Sequence, residues 1–507
     1  MNAISAERFE TFRAAYEAGR GALVWLHDIA DLLTPVAAFM KAAHGKPFSF
    51  LLESVEGGAV RGRYSVIGML PDLIWRCEGG AAFINRDAST DLAAFQPAGP
   101  APLESLRALI AETRLDVPEG LPPMTGGLSG YLGYDMVRLM ESLPVTNPDV
   151  LGIPDGILVR PGLFIIFDGV TDEMTLAAPA YPRAGVDAQA AYAAAELRLD
   201  ELARALDQPV PKLVASPPPP LEQSSNMTEE EFLAVVETAK NYIRAGDVFQ
   251  VVPSQRFEAP FSLPPFALYR SLRRINPAPF LFYLDFGDFV AVGSSPEILV
   301  RLRAGIVTIR PLAGTRRRGA DRAEDEALET ELLNDPKERA EHLMLLDLGR
   351  NDVGRVAEIG SVRVAESFMI ERFSHVMHIS STVEGRLRAD CDALDALIAG
   401  FPAGTLSGAP KVRAMQIIEE LEPSRRGLYA GCIGYFAANG TMDTCIGLRT
   451  ALVKDGVMYV QAGVGVVADS DPQAEYAESV QKARALFRAA EDAVRYVTVL
   501  GQEGGQA

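Results

Sequence analysis

Two short acidic stretches carry the residues most suited to chemistry. Glu338 and Glu341 lie in DPKERAEHLM, and Glu475 and Glu478 lie in DPQAEYAESV. In a helix, residues three apart share one face. Two such faces brought together offer oxygen ligands for a hard cation such as Mg²⁺. Either pair alone reads first as a solvated helix face, so their neighbours must decide. Arg449 ends the apolar run DTCIGLRT. A buried arginine needs a partner, and both a carboxylate clamp and an internal salt bridge fit this one. His378, in HVMHISS, reads either as a structural strand residue or as a proton carrier. His342 follows Glu341 directly, but the region lacks the histidines of an iron site. Two glycine-rich stretches, GGLSGYLGYD and AGVGVV, allow close sheet packing or backbone approach to a ligand carboxylate. The segment Gly404–Lys411, GTLSGAPK, lacks the spacing of a phosphate loop.

Composition narrows the class. A net charge of −19 over 507 residues argues against nucleic acid, which calls for a basic stripe. The four cysteines are scattered, without the spacing of a zinc site. The N-terminus is a polar helical pattern without an apolar signal core. No run approaches the ~18 apolar residues of a membrane span. A cytoplasmic protein with reduced thiols is the expectation.

These residues must be positioned by mixed elements. ILVRPGLFIIFDGVTDEMTLAAP reads as a hairpin around Asp168-Gly169, and the Ala-rich stretch from Ala188 as a helix. Thr228 and Glu231 form a capping box ahead of an apolar face of Phe232, Val235, Val236, Ala239, Tyr242 and Ile243. Strands are expected around VFQVVPSQRF, FLFYLDF, FVAVGSS and EILVRLRAGIVTIRP, with long helices over about 337–350 and 472–494. Without strict βαβ alternation, the fold class is α+β, with large sheets covered by helices. VASPPPPLEQSSNM, 214–227, favours extended polyproline and reads as a spacer. It divides the sequence into an N-terminal region, 1–213, and a second region, 228–500.

From about residue 228 onward, the motifs PLAGTRRRG, DPKERAEHLMLLDLGRNDVGRV, HVMHISSTVEG, FPAGTLSGAPKVRAMQIIEELEP, GLYAGCIGYF, MDTCIGLRT and AGVGVVADSDPQAEYAES occur in order. Together they resemble the chorismate-utilising enzymes. That resemblance implies sheets packed as a sandwich beneath helices. Three local features separate the family's activities. Gln250 stands where members that add water to chorismate carry a lysine base. Ala313 stands where aminodeoxychorismate synthases carry a lysine nucleophile, and alanine cannot attack. Leu51-Leu52-Glu53-Ser54 and the segment from Asn276, NPAPFLFYL, look like the tryptophan-binding elements of anthranilate synthase large subunits.

The resemblance implies a lyase that converts chorismate and ammonia to anthranilate and pyruvate, the first committed step towards tryptophan. It implies Glu341 and Glu478 as the main Mg²⁺ ligands, supported by Glu338 and Glu475. Arg449 and the backbone of Gly463, Val464 and Gly465 would hold a substrate carboxylate, with Gly314, Thr315 and Tyr429 lining the pocket. His378 would move protons, with Thr405, Lys482 and Gln250 as further catalytic candidates. For Lys482, an i,i+4 surface pair with Glu478 is the alternative. L-Tryptophan, as feedback inhibitor, would meet Glu53, Ser54, Pro279, Phe280 and Leu281. The sequence shows no glutaminase nucleophile motif, and Cys432 reads as packing. A separate glutaminase small subunit, and hence a hetero-oligomer, is therefore expected. The alternatives are aminodeoxychorismate synthase component I of folate synthesis and a non-catalytic amino-acid sensor. The intact glutamates and His378 argue against the sensor.

Overall fold

Two long strands, Val60–Glu78 and Gly156–Asp168, pair antiparallel and turn the corner on which the fold is built. The computed structural model describes residues 3–56, 60–99, 101–373 and 376–500. Strand side chains alternate between faces. Ile157, Val159, Phe164 and Ile166 all enter one interior core. On the opposite face, Leu158 joins a second core, whereas Leu163, Ile165 and Phe167 join a third. The change falls at Arg160-Pro161-Gly162, and the pairing register shifts between Pro71 and Leu73. Proline offers no N–H to the ladder, so pairing breaks there and both strands bend from one layer into the next.

The result is an α+β sandwich. One layer contains Ser49–Glu56, Phe280–Asp285, Phe289–Ser295, Thr450–Lys454 and Val457–Gly463. The other contains Gly127–Leu132, Cys432–Ala437, Met442–Ile446 and Ile298–Arg303. The interior core lies between them. Because the long strands belong to both layers, the strands form one closed hydrogen-bonded network rather than two separate sheets. Helices Pro35–Ala42, Ala188–Leu206, Pro265–Ile275 and Pro472–Asp492 cover one outer face. Pro102–Glu112, Pro336–Gly354 and Ala393–Gly400 cover the other.

The segment 214–227 does not separate two sheets, because Ser49–Glu56 pairs with Phe280–Asp285 and Gly127–Leu132 pairs with Cys432–Ala437. It is a strap tied at both ends: Val214-Ala215 pairs with Thr498-Val499, and Ser224-Ser225 with Phe257 and Glu258. Between them, Pro218, Pro219 and Leu221 lie over Phe261, Leu263 and Val494.

Caps fix the two glutamate-bearing helices. The Asp335 side chain accepts from the N–H groups of Lys337 and Glu338, and Asp471 accepts from that of Ala474. Each helix opens on proline, which tolerates the first turn. The first runs to Gly354, a turn beyond the expected 350, because Val353 is buried in the core. The Thr228–Glu231 capping box is formed, and Phe232, Val236 and Ala239 are buried. Among the described residues, no helix is long and apolar enough to cross a membrane.

Candidate active site

Helices Pro336–Gly354 and Pro472–Asp492 bring their acidic faces towards each other. Burial pushes the Glu341 carboxyl above its ordinary pKa; the Gln250 amide opposes this, and the charges of Glu338 and Glu478 add to it. Glu475 is also pushed up, first by burial and then by Glu478. Each pair is held by a neighbour. Gln250 Nε2 donates to Glu341 Oε1 at 2.8 Å, Arg316 Nη1 to Glu338 Oε1 at 3.0 Å, and Lys482 pairs with Glu478 at 2.9 Å. Among the described residues, no three His, Cys, Asp or Glu side chains converge as a formed metal site. The donor chemistry still suits a hard divalent cation: carboxylates that repel one another are the oxygen ligands Mg²⁺ prefers, and a cation would relieve that repulsion.

Gln250 is buried, and its Oε1 has no hydrogen-bond partner. A Cβ at Gly465 would come within 2.7 Å of Gln250 Nε2 and 3.6 Å of Glu341 Oε1. Only glycine therefore lets this backbone approach the two side chains. Lys482 Nζ also donates to the Gly463 carbonyl at 2.9 Å, so the surface pair with Glu478 is only half of what it does. Val464 departs from the expectation. Its side chain is buried in a small core, and its N–H donates to the Pro253 carbonyl at 3.1 Å, leaving neither for a ligand.

His378 lies on Val376–Arg386, opposite the strand Leu312–Arg317. Its Nδ1 is 2.8 Å from the Gly314 carbonyl and 3.1 Å from Thr315 Oγ1. A carbonyl only accepts, so Nδ1 carries the proton and Nε2 keeps its lone pair. Burial, with added repulsion from Arg449 and Lys482, pushes the imidazole pKa down to about 4. His378 is therefore neutral and basic at Nε2 near neutral pH. Gly314 holds φ +66°, which favours glycine, and this conformation aims its carbonyl at the ring.

Arg449 sits in the turn between Met442–Ile446 and Thr450–Lys454, with its carbonyl accepting from the Ser294 N–H at 3.1 Å. It makes no ion pair among the described residues. Burial lowers its pKa, and the nearby Glu297 partly compensates. A largely enclosed, unpaired guanidinium is what a substrate carboxylate would satisfy. Tyr429 packs against the Arg426 guanidinium, with its hydroxyl against Gly463.

Sequence reasoning missed Glu297. This residue is buried, and its Oε1 accepts from Thr405 Oγ1 at 3.1 Å and from the Leu312 N–H at 3.4 Å. Burial pushes its carboxyl up to about 8, against the opposing pull of these donors and of Arg449. The signal was a lone carboxylate inside the apolar run SSPEILV. Thr405 belongs to the site through Glu297. Cys432 is buried in the core, as its packing role requires.

The five residues expected to meet tryptophan divide between two faces. Ser54 pairs with Phe280, and Glu53 with Leu281. Strand alternation therefore places Ser54 and Phe280 together, with Pro279 alongside at the strand start. Glu53 and Leu281 point their side chains the other way, so only their backbone could share that lining. Leu281 is core, while Glu53 accepts from Arg273 at 2.6 and 2.9 Å and from the Tyr269 hydroxyl at 2.5 Å.

The sandwich and its opposed glutamate helices have known relatives. The profile of the chorismate binding enzymes matches residues 71–488, and the chain belongs to that family. Over 487 residues it is 59% identical to "Anthranilate synthase component 1" of Cereibacter sphaeroides, covering 96% of this chain and 97% of that protein. The protein of the same name from Pseudomonas aeruginosa is 47% identical, over 91% and 94% of the two chains. Anthranilate synthase component I from Streptococcus pneumoniae superposes with a TM-score of 0.74 at 38% identity, covering 90% of this chain and 98% of that one. The fold is also shared with the isochorismate synthase MenF of Escherichia coli, at a TM-score of 0.71, 19% identity and coverage of 96% and 99%.

Proposed function

We propose that this chain is the chorismate-aminating component of an anthranilate synthase, converting chorismate and ammonia to anthranilate, pyruvate and water. The observation that carries this reading is Gln250. Water needs a base to become a nucleophile, but ammonia already has a free lone pair. An uncharged amide with an unpartnered oxygen suits ammonia: it accepts an N–H without removing a proton. Ala313 excludes covalent attack from the neighbouring strand, which disfavours the aminodeoxychorismate reading.

Arg449 and the backbone around Gly463 and Gly465 hold a substrate carboxylate. Ammonia adds at C2 while Glu297, protonated at neutral pH, gives its proton to the departing C4 hydroxyl. The ammonium formed at C2 loses a proton to solvent. His378 Nε2 then takes the C2 proton as the C3–O bond breaks. The imidazolium returns it to the methylene carbon of the departing enolpyruvate, giving pyruvate and the aromatic ring. Glu341 and Glu478 would hold Mg²⁺, with Glu338 and Glu475 in support. When bound, the ion supplies a Lewis-acid anchor for the ring carboxylate.

The deciding assay combines the chain with chorismate, Mg²⁺ and an ammonium salt, and follows anthranilate fluorescence and pyruvate together. Equal amounts of both are expected. An aminated product without pyruvate would instead favour the folate enzyme. Glu341→Gln keeps an oxygen for Gln250 but removes the charge. The Mg²⁺ concentration for half-maximal rate should rise about tenfold or more, and an unchanged Mg²⁺ titration would remove Glu341 from the metal site.

Free ammonia is scarce near neutral pH, so a separate glutaminase subunit is inferred as its source, giving a hetero-oligomer. Tryptophan inhibition is inferred at the face shared by Ser54, Pro279 and Phe280. Ser54→Phe should weaken inhibition while leaving uninhibited turnover near that of the parent. Retained inhibition would move the regulatory site elsewhere.

A further inference from the structure

A cavity of about 30 Å³ is lined by Glu297, Thr405, Gly349 and Asp352 together with aliphatic side chains. Its volume suits one water, which needs polar partners to be held; Glu297, Thr405 and Asp352 supply them. Asp352 is buried and accepts from Lys411 Nζ at 2.9 Å. Lys411 is the first residue of the helix Lys411–Leu421, and its side chain retains 11% exposure. A buried acid and an ion pair reaching towards solvent thus meet at one water-sized gap.

We propose that Asp352 and Lys411 form a proton-return path that recharges Glu297 after each turnover through a water in this cavity. The proposal rests on Glu297 being the acid. Once Glu297 has given its proton to the C4 hydroxyl, it is a carboxylate that must be reprotonated before the next substrate reacts. The cavity water gives Glu297 a proton and takes one from the Asp352–Lys411 pair, which takes one from solvent. No bond other than O–H or N–H changes, and no electron is transferred. Burial holds the Asp352 carboxyl above its ordinary pKa against the pull of Lys411, so protonation of Asp352 during the transfer is accessible. The rival route is direct reprotonation through the substrate pocket.

Rapid-mixing kinetics separate the two routes. Glu297 is protonated before mixing, so loss of the return path spares the first turnover and slows later ones. Asp352→Asn should give a burst of one anthranilate per active site at the parent rate, followed by steady-state turnover slowed by about tenfold or more. Gly349→Ala gives a second test with every polar group intact. Its new methyl would sit 3.6 Å from Ile309, 3.7 Å from Val383 and 3.9 Å from Pro311, occupying the cavity without collision. The same burst is expected. Parent-like steady-state rates without a burst in Gly349→Ala, or a first turnover slowed as much as later ones in either variant, overturn the proposal. Glu297→Gln distinguishes the underlying reading: it should abolish the burst, and parent-like turnover there would show that Glu297 is not the acid.

Discussion

Glu297→Gln is expected to lower kcat by about 10²–10⁴-fold, the usual contribution of a positioned general acid, with the chorismate KM changed far less. The amide is close in shape to the protonated carboxyl. Its oxygen can still accept from Thr405 Oγ1 and the Leu312 N–H, so substrate packing survives. Only the transferable proton is lost, and an interaction made solely in the transition state appears in kcat. The pH profile gives an independent reading. Glu297 must be protonated to act, and burial holds its proton up to about 8. The rate at fixed free ammonia should therefore fall as pH rises through about 8. His378 must be neutral to act, and its pKa, pushed down to about 4, places that requirement at the acid end. Fixing free ammonia matters because its concentration rises with pH and would mask the fall. In Glu297→Gln, the residual rate should lose the alkaline limb. A limb that persists unchanged would assign it to another group.

The elements were legible where a local rule sufficed. Thr228 and Glu231 cap their helix because the capping box is contained within four residues. The glutamate helices start at Asp335-Pro336 and Asp471-Pro472 for equally local reasons. The corner of the sandwich was not legible. Pro161 lies inside the stretch that reads as one hairpin arm, and nothing local to it or to Pro71 shows that both long strands change layers there. In the site, residue types were easier to read than directions. Glu53 and Ser54 are adjacent in sequence, but neighbours in a strand face opposite ways, and Arg273 already occupies Glu53. Gln250 was visible as a departure from lysine, but its bond to Glu341 across 91 positions was not. Glu297 escaped because its importance comes from burial beside Thr405, Leu312 and Arg449. Three separate segments of chain supply those neighbours, and no spacing rule links them.

Arg449→Met should reduce kcat/KM for chorismate by about 10²–10⁴-fold, since a carboxylate paired with guanidinium gains two charge-assisted hydrogen bonds of roughly 1.5–3 kcal/mol each. The loss should fall on the substrate because the native structure already leaves this guanidinium without an ion-pair partner among the described residues. Removing it strands no internal carboxylate, so thermal stability should change little. That contrast with an internal salt bridge, whose loss leaves an uncompensated charge, decides between the two roles open to Arg449 from sequence alone. Arg449→Lys should recover only part of the rate, because an ammonium cannot match both carboxylate oxygens in one plane. Arg449 also favours the ionised form of Glu297 and opposes protonation of His378. In Arg449→Met the alkaline limb should therefore move above its parent position, as Glu297 holds its proton to higher pH. A kcat/KM close to the parent value, or an alkaline limb moved downward, would contradict the placement of Arg449 between substrate and acid.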